Sequence, residues 1–240
     1  EKKTEKPKKT PKPKAPVELK DYGFVAVCMG KGITNILKDL GVDRVIEGGQ
    51  TMNPSTDDIL KAVKRVKAKT VYVFPNNKNI IMAANQAAEL VEDKKIVVIP
   101  SKSVPQCISA MVEFNDKKSA EANEKAMNKA IGRVTSGQLT YAVRDTEIDG
   151  IEIKKDDILG MVEGKIVTVG KDIDDVLNRV VSQMVDEDTE FLNVYYGKEI
   201  KKPQADVMLK ALETKYADDE IEVSFKKGGQ PLYYYIISAE

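Results

Sequence analysis

Amides and hydroxyls, not imidazoles or thiolates, are the side chains grouped closely enough in this sequence to do chemistry. They gather in two stretches, Gly48-Gly49-Gln50-Thr51-Met52-Asn53-Pro54-Ser55-Thr56 and Pro75-Asn76-Asn77-Lys78-Asn79. An asparagine brings donor and acceptor together without charge, so Asn53, Asn76, Asn77 and Asn79 suit the orientation of a polar ligand or of a partner's backbone. Gly48 and Gly49 allow backbone angles closed to other residues and permit close approach of a ligand or a neighbouring chain. Ser55 and Asp58 have the spacing of a capping box. The helix they begin near Asp57 turns its unpaired N–H groups toward the loop, where a carboxylate, phosphate or side-chain oxygen is stabilised. The same residues also suit capped turns that serve the fold alone. Candidate crevice or partner-binding residues are thus Gly49, Gln50, Thr51, Asn53, Ser55, Thr56, Asn76, Asn77, Lys78 and Asn79.

Other chemistry is poorly provided for. The chain has no histidine, which removes the commonest general base, the Ser-His and Cys-His pairs and most zinc sites. No phosphate-binding Gly-x-x-x-x-Gly-Lys-Ser/Thr pattern occurs, and Met29-Gly30-Lys31-Gly32 is too short to stand for one. The paired carboxylates Asp57-Asp58, Asp156-Asp157, Asp174-Asp175 and Asp218-Asp219 fall at helix starts or in charged turns, where they offset the helix dipole. Cys28 and Cys107 lack the close spacing of a metal knuckle or redox pair and read as buried reduced thiols, which suits a cytoplasmic protein. The expectation is a chain with no catalytic centre, no cofactor and no metal of its own.

Elements that position the polar stretches alternate in type. Strand patterns at Tyr22 to Met29, Asp43 to Ile46, Thr70 to Phe74 and Lys95 to Ile99 are each followed by a helical one, at Ile33 to Leu40, Asp57 to Ala68, Ile80 to Glu92 and Gln106 to Phe114. Such units predict a parallel sheet covered on both faces. Its strand-to-helix loops all emerge at the carboxyl edge, so Met29 to Gly32, Gly48 to Thr56, Pro75 to Asn79 and Pro100 to Pro105 should converge on one crevice. After a helix from Ser119 to Ile131 the pattern becomes mixed. Strands are read at Gly137 to Asp145, Ile151 to Ile153, Lys165 to Gly170 and Phe191 to Tyr196, and Asp156 to Met161 reads as a turn-rich connection. Helices are read at Asp172 to Val185 and Pro203 to Tyr216, and Glu220 to Phe225 with Leu232 to Ser238 reads as an antiparallel hairpin around Gly228-Gly229-Gln230-Pro231. The fold class expected is α/β in two lobes, residues 21–133 around a mainly parallel sheet and 134–240 around a mixed one.

Composition sets the outer limits. The 240 residues are 42% hydrophobic, ordinary for a globular chain. Formal net charge is zero, yet residues 1–20 hold eight lysines against three glutamates, about +5, leaving about −5 for the rest. That stretch also holds Pro7, Pro11, Pro13 and Pro16 and is read as a disordered linker, the start of a fragment cut from something larger. Its lysines are not interleaved with aromatics, so no nucleic-acid partner is expected. Neither a signal peptide nor a membrane span is read.

Residues Phe24 to Phe114, with Gly48 to Thr56 and Pro75-Asn76-Asn77-Lys78-Asn79-Ile80 as the strongest signatures, resemble the C-terminal region of the bacterial fatty acid kinase protein FakA. The similarity continues to the end of the chain through Gly228-Gly229-Gln230-Pro231. The resemblance implies a pair of α/β domains of the DegV and dihydroxyacetone-binding type. It also implies a homodimeric parent whose separate kinase domain uses ATP and Mg, and a partner, the DegV-like fatty-acid-binding subunit, whose fatty acid is phosphorylated to an acyl phosphate. Dihydroxyacetone-binding relatives hold substrate through a histidine, which this chain lacks. In DegV-like proteins a Thr/Ser loop grips the fatty acid carboxylate, and Thr51, Asn53, Ser55 and Thr56 stand in a different motif. The reading that follows is a non-catalytic domain that recognises the acyl-carrying subunit. The alternative is a sensor that binds a small anionic or polyhydroxyl ligand in the first-lobe crevice.

Overall fold

The computed structural model describes residues 19–49 and 52–240. All but the last two residues of the basic stretch, and the candidate residues Gln50 and Thr51, lie outside the described residues. The N-terminal half alternates as expected: β1 (Lys20–Cys28), α1 (Lys31–Asp39), β2 (Arg44–Glu47), α2 (Thr56–Arg65), β3 (Ala68–Phe74), α3 (Ile81–Glu89), β4 (Lys95–Val98), α4 (Val104–Glu113) and α5 (Ala120–Ile131). Its strands form a parallel sheet in the order β2-β1-β3-β4.

A sheet buried on both faces needs apolar side chains at successive positions, not alternate ones. β1 and β3 meet this with Phe24, Ala26, Cys28, Tyr72 and Phe74 in one core and Val25, Val27, Val71 and Val73 in another. The first core is completed by Ile33 and Leu37 of α1, Cys107 and Ala110 of α4 and Met127 of α5. The second is completed by Ile59 and Val63 of α2 and Ala84 and Ala87 of α3. Helix α2 stops short of Ala68, which opens β3 instead. Val66 and Ala68 are both buried in the second core, and burial two residues apart is a strand's period.

The C-terminal half comprises β5 (Thr135–Tyr141), a small hairpin of β6 (Thr146–Ile148) and β7 (Ile151–Ile153), β8 (Ile158–Val162), β9 (Lys165–Gly170), α6 (Ile173–Met184), β10 (Phe191–Tyr196), α7 (Lys202–Lys215), β11 (Glu222–Lys227) and β12 (Tyr235–Ala239). The main sheet runs β11-β10-β12-β5-β8-β9, with β10 and β11 parallel and the other neighbours antiparallel. Val176, Leu177, Val180 and Val181 of α6 and Met208 and Leu212 of α7 pack on it.

Two expectations are corrected here. The stretch read as a turn-rich connection contains β8, which pairs on both sides. Its strand signal is interrupted by Gly160, where a Cβ would overlap the side chain of Val180, so the missing side chain is what lets α6 lie close. The C-terminal pair is not a hairpin. β10 lies between β11 and β12, parallel to one and antiparallel to the other. With a ladder on each edge, the backbone N–H and C=O groups of β10 are paired on both sides.

The Gly228-Gly229-Gln230-Pro231 loop is thereby free to reach the N-terminal half. Ile33 N donates to Gly228 O at 3.1 Å, which caps the start of α1 from outside its own half. Tyr195 and Ile236 cross the same junction and join the core of Phe24 and Tyr72.

Candidate functional site

The sheet order reverses direction between β1 and β3, and at that point the loops after adjacent strands diverge to leave a crevice. Met29, Gly48, Gly49, Asn76, Asn77, Ser103 and Val104 line it, so all four polar loops meet there. The C-terminal half closes the other side with Gln138, Gln230, Pro231, Tyr233 and Ile236. The cavity measures about 60 Å³, and among the described residues no lining side chain carries a formal charge.

The candidate residues take different places around it. Gly49 lies in the wall with φ 151°, a backbone conformation that suits glycine. Asn76 also lines the crevice, but its amide is engaged by the protein. Nδ2 donates to Val27 O at 2.9 Å, and Oδ1 accepts from Ser101 Oγ at 2.7 Å. Asn76 therefore ties the loop after β3 to β1 and to the loop after β4. It sits at φ 56°, which asparagine tolerates better than most residues. Asn77 is 5% exposed and accepts from Asn79 N through Oδ1 at 2.9 Å. Lys78 and Asn79 face an adjoining cleft of about 250 Å³ that shares Asn77, Ser103 and Gln138 with the crevice.

The remaining candidates turn away. Asn53 is exposed and borders a groove along β2, with Arg44 and Pro54. Ser55 and Asp58 form the capping box: Ser55 N donates to Asp58 Oδ2 at 2.9 Å, and Asp58 N to Ser55 Oγ at 3.2 Å. Thr56 Oγ1 donates to Gln86 Oε1 at 3.0 Å, tying α2 to α3. The Ser55 hydroxyl and N–H hold the Asp58 carboxyl below its ordinary range. Ser55→Ala should lower stability by about 1 kcal/mol, the usual cost of losing an N-cap side chain. Chemical denaturation would show this, and a variant as stable as the parent would make the cap dispensable.

Cys28 lines the crevice floor, and burial raises its thiol pKa, partly offset by the Thr34 hydroxyl 3.5 Å away and reinforced by Glu47. Burial also pushes up the Cys107 thiol and the Tyr233 phenol. Both cysteines are free and buried, and both are held in the protonated, unreactive form at neutral pH. Among the described residues no group of three or more Cys, Asp or Glu side chains is placed to hold a metal ion. No helix among them is long and apolar enough to cross a membrane.

Gln138, Gln230 and Tyr233 come from the other half of the chain and are not among the candidate site residues read from the sequence. Gly228-Gly229-Gln230-Pro231 has the glycine-rich, polar composition of the four converging loops, and that likeness was the available signal.

A parallel four-stranded sheet open at its switch point and closed over by a mixed sheet defines the class: the fold of DegV and dihydroxyacetone kinase. The chain superposes on the solved structure of DegV, a fatty acid binding protein from Bacillus subtilis, with a TM-score of 0.63 at 13% identity, covering 92% of this chain and 99% of that one. With the dihydroxyacetone kinase of C. freundii the TM-score is 0.63 at 11% identity, covering 93% of this chain and 48% of that one. Likeness at such identities is of fold. Residues 23–240 match the model of the FakA-like C-terminal family of fatty acid kinase, and the chain belongs to that family. Protein YloV of Bacillus subtilis is 49% identical over 225 residues, which is 94% of this chain but 40% of YloV. The chain thus spans well under half the length of the relative it matches.

Proposed function

We propose that this chain is the part of a fatty acid kinase that recognises the separate fatty-acid-binding subunit. Docking would bring the acyl carboxylate to ATP and Mg held by the remainder of the parent chain, where an acyl phosphate forms. Positioning of this kind removes much of the entropic barrier when the reactants sit on different chains. This chain would do no chemistry of its own.

The observation that carries the reading is the size of the crevice in a DegV-like fold. Its volume is about 60 Å³, whereas pockets that bury small-molecule ligands run to about 300–1,000 Å³. The larger adjoining cleft is bordered by Lys78, Lys102 and Glu163. An acyl chain entering it would strip water from charged groups with nothing to replace it. Both features support an acyl chain carried elsewhere and a surface here that reads its carrier. At the mouth, Gly49, Lys78 and Asn79 are the residues proposed to meet that carrier, with Asn53 and the exposed Met52 and Met82 as further contact points on the loop after β2 and the start of α3.

Size-exclusion of the 240-residue chain mixed with the fatty-acid-binding subunit should give a co-eluting complex, weakened when Lys78 and Asn79 are both replaced by alanine. Separate elution would count against the reading. Unchanged co-elution of the double variant would move the docking face away from the crevice.

A further inference from the structure

The cleft beside the crevice has chemistry of its own, set by which atoms the fold has already engaged. Asn77 and Gln106 are 5% and 7% exposed, and both line the cleft. The side-chain oxygen of Asn77 accepts from Asn79 N at 2.9 Å, and that of Gln106 accepts from Lys102 N at 2.7 Å. A backbone N–H can only donate, so the accepting atom in each amide is the oxygen and the NH₂ group faces the other way. Neither NH₂ group has an acceptor among the described residues. Both residues line the solvent-open cleft, and their NH₂ groups are free of acceptors from the described residues and available to a ligand there.

Their surroundings have the same polarity. Lys78 and Lys102 border the cleft, and their ammonium groups have donors and no acceptor. The start of α4 at Ser103 adds the positive end of a ten-residue helix. One carboxylate, Glu163, stands at the rim, and its Oε1 accepts from Ser136 N at 2.6 Å. Donors outnumber free acceptors, and the space of about 250 Å³ is open to solvent.

We infer that this cleft is a binding site for a small oxyanion, a phosphoryl or carboxylate group, held by the Asn77 and Gln106 amides and the Lys78 and Lys102 ammonium groups. It lies between the two halves of the chain and shares Lys78 with the proposed docking face, so its test uses this chain alone and reads the Asn77 and Gln106 amides, whose response stands or falls separately from co-elution with the fatty-acid-binding subunit. The two source chemistries share the same recognition: oxygen acceptors with negative charge meeting fixed donors.

The test is a titration of the isotope-labelled 240-residue chain at constant ionic strength, following the side-chain NH₂ resonances of Asn77 and Gln106 by NMR. Inorganic phosphate, acetyl phosphate and acetate are the separate probes. Saturable shifts of both NH₂ pairs are expected. Response to phosphate and acetyl phosphate alone would assign a phosphoryl site, and response to all three a general oxyanion site. Gln106→Glu and Asn77→Asp keep the oxygen that accepts the backbone N–H and exchange the donor for a negative group. Each should weaken binding at least tenfold, compared at a temperature where the backbone amide spectrum shows the variant folded. Glu163→Gln keeps the bond from Ser136 and removes the opposing charge, so it should tighten binding several-fold. Linear, unsaturable shifts with every probe, or binding unchanged in both Gln106→Glu and Asn77→Asp, would overturn the assignment.

Discussion

Gly32→Ala should lower the unfolding midpoint by about 6–12 °C, corresponding to a loss of about 3 kcal/mol, the upper end of the usual cost of overpacking. A Cβ at this position would overlap the carbonyl oxygen of Lys227 and lie 2.9 Å from that of Gly228. Both are backbone atoms, so neither can swing aside as the end of a flexible side chain would. Relief requires the loop before β12 to move away from α1, which would break the bond from Ile33 N to Gly228 O. The crevice wall at Gln230 and Pro231 belongs to that loop and would move with it. Gly132→Ala is the control: it sits at the end of α5, where a Cβ would meet carbonyl oxygens no closer than 3.4 Å, and it should change the midpoint little. Calorimetric unfolding of the two variants checks the contrast, and equal midpoints would mean that the halves are not so closely joined.

Asn76→Ala should cost about 3 kcal/mol, the cost of stranding buried polar partners added to that of a left-handed backbone. Truncation leaves Val27 O without the amide donor and the fully buried Ser101 hydroxyl without its acceptor. Alanine would also have to adopt φ 56°. Asn76→Gly loses the same bonds but relieves the backbone, so it should be less damaging than alanine by about 1 kcal/mol. Denaturant unfolding of the pair separates the two contributions. If glycine is the worse replacement, the backbone at this turn is not strained.

Much of the N-terminal half could be read directly because its physics is local. A continuous apolar run such as Phe24 to Cys28 signals a strand buried on both faces, and parallel strands oblige their following loops to share an edge. That is why Gly49, Asn76, Asn77 and Ser103 come together. Less legible was which polar atoms remain available there. Asn76 and Ser55 look like binding residues in sequence, yet both spend their side chains on neighbours, while Gln106 lies inside a helical pattern and shows its free donor only in three dimensions. The C-terminal half was harder because its order depends on distant pairing. No local pattern places β10 between β11 and β12, and a glycine within β8 hides a strand whose reason for lacking a side chain lies on α6.

As proposed, this domain would read the carrier of the acyl chain and not the acyl chain itself. Isothermal titration of the 240-residue chain distinguishes the two, first with the fatty-acid-binding subunit loaded with a fatty acid and then with the free fatty acid below its micelle concentration. The predicted result is saturable association with the loaded subunit, with no more heat from the free acid than from acetate at the same concentration. No association with the subunit, or stoichiometric binding of the free acid by this chain, would contradict it.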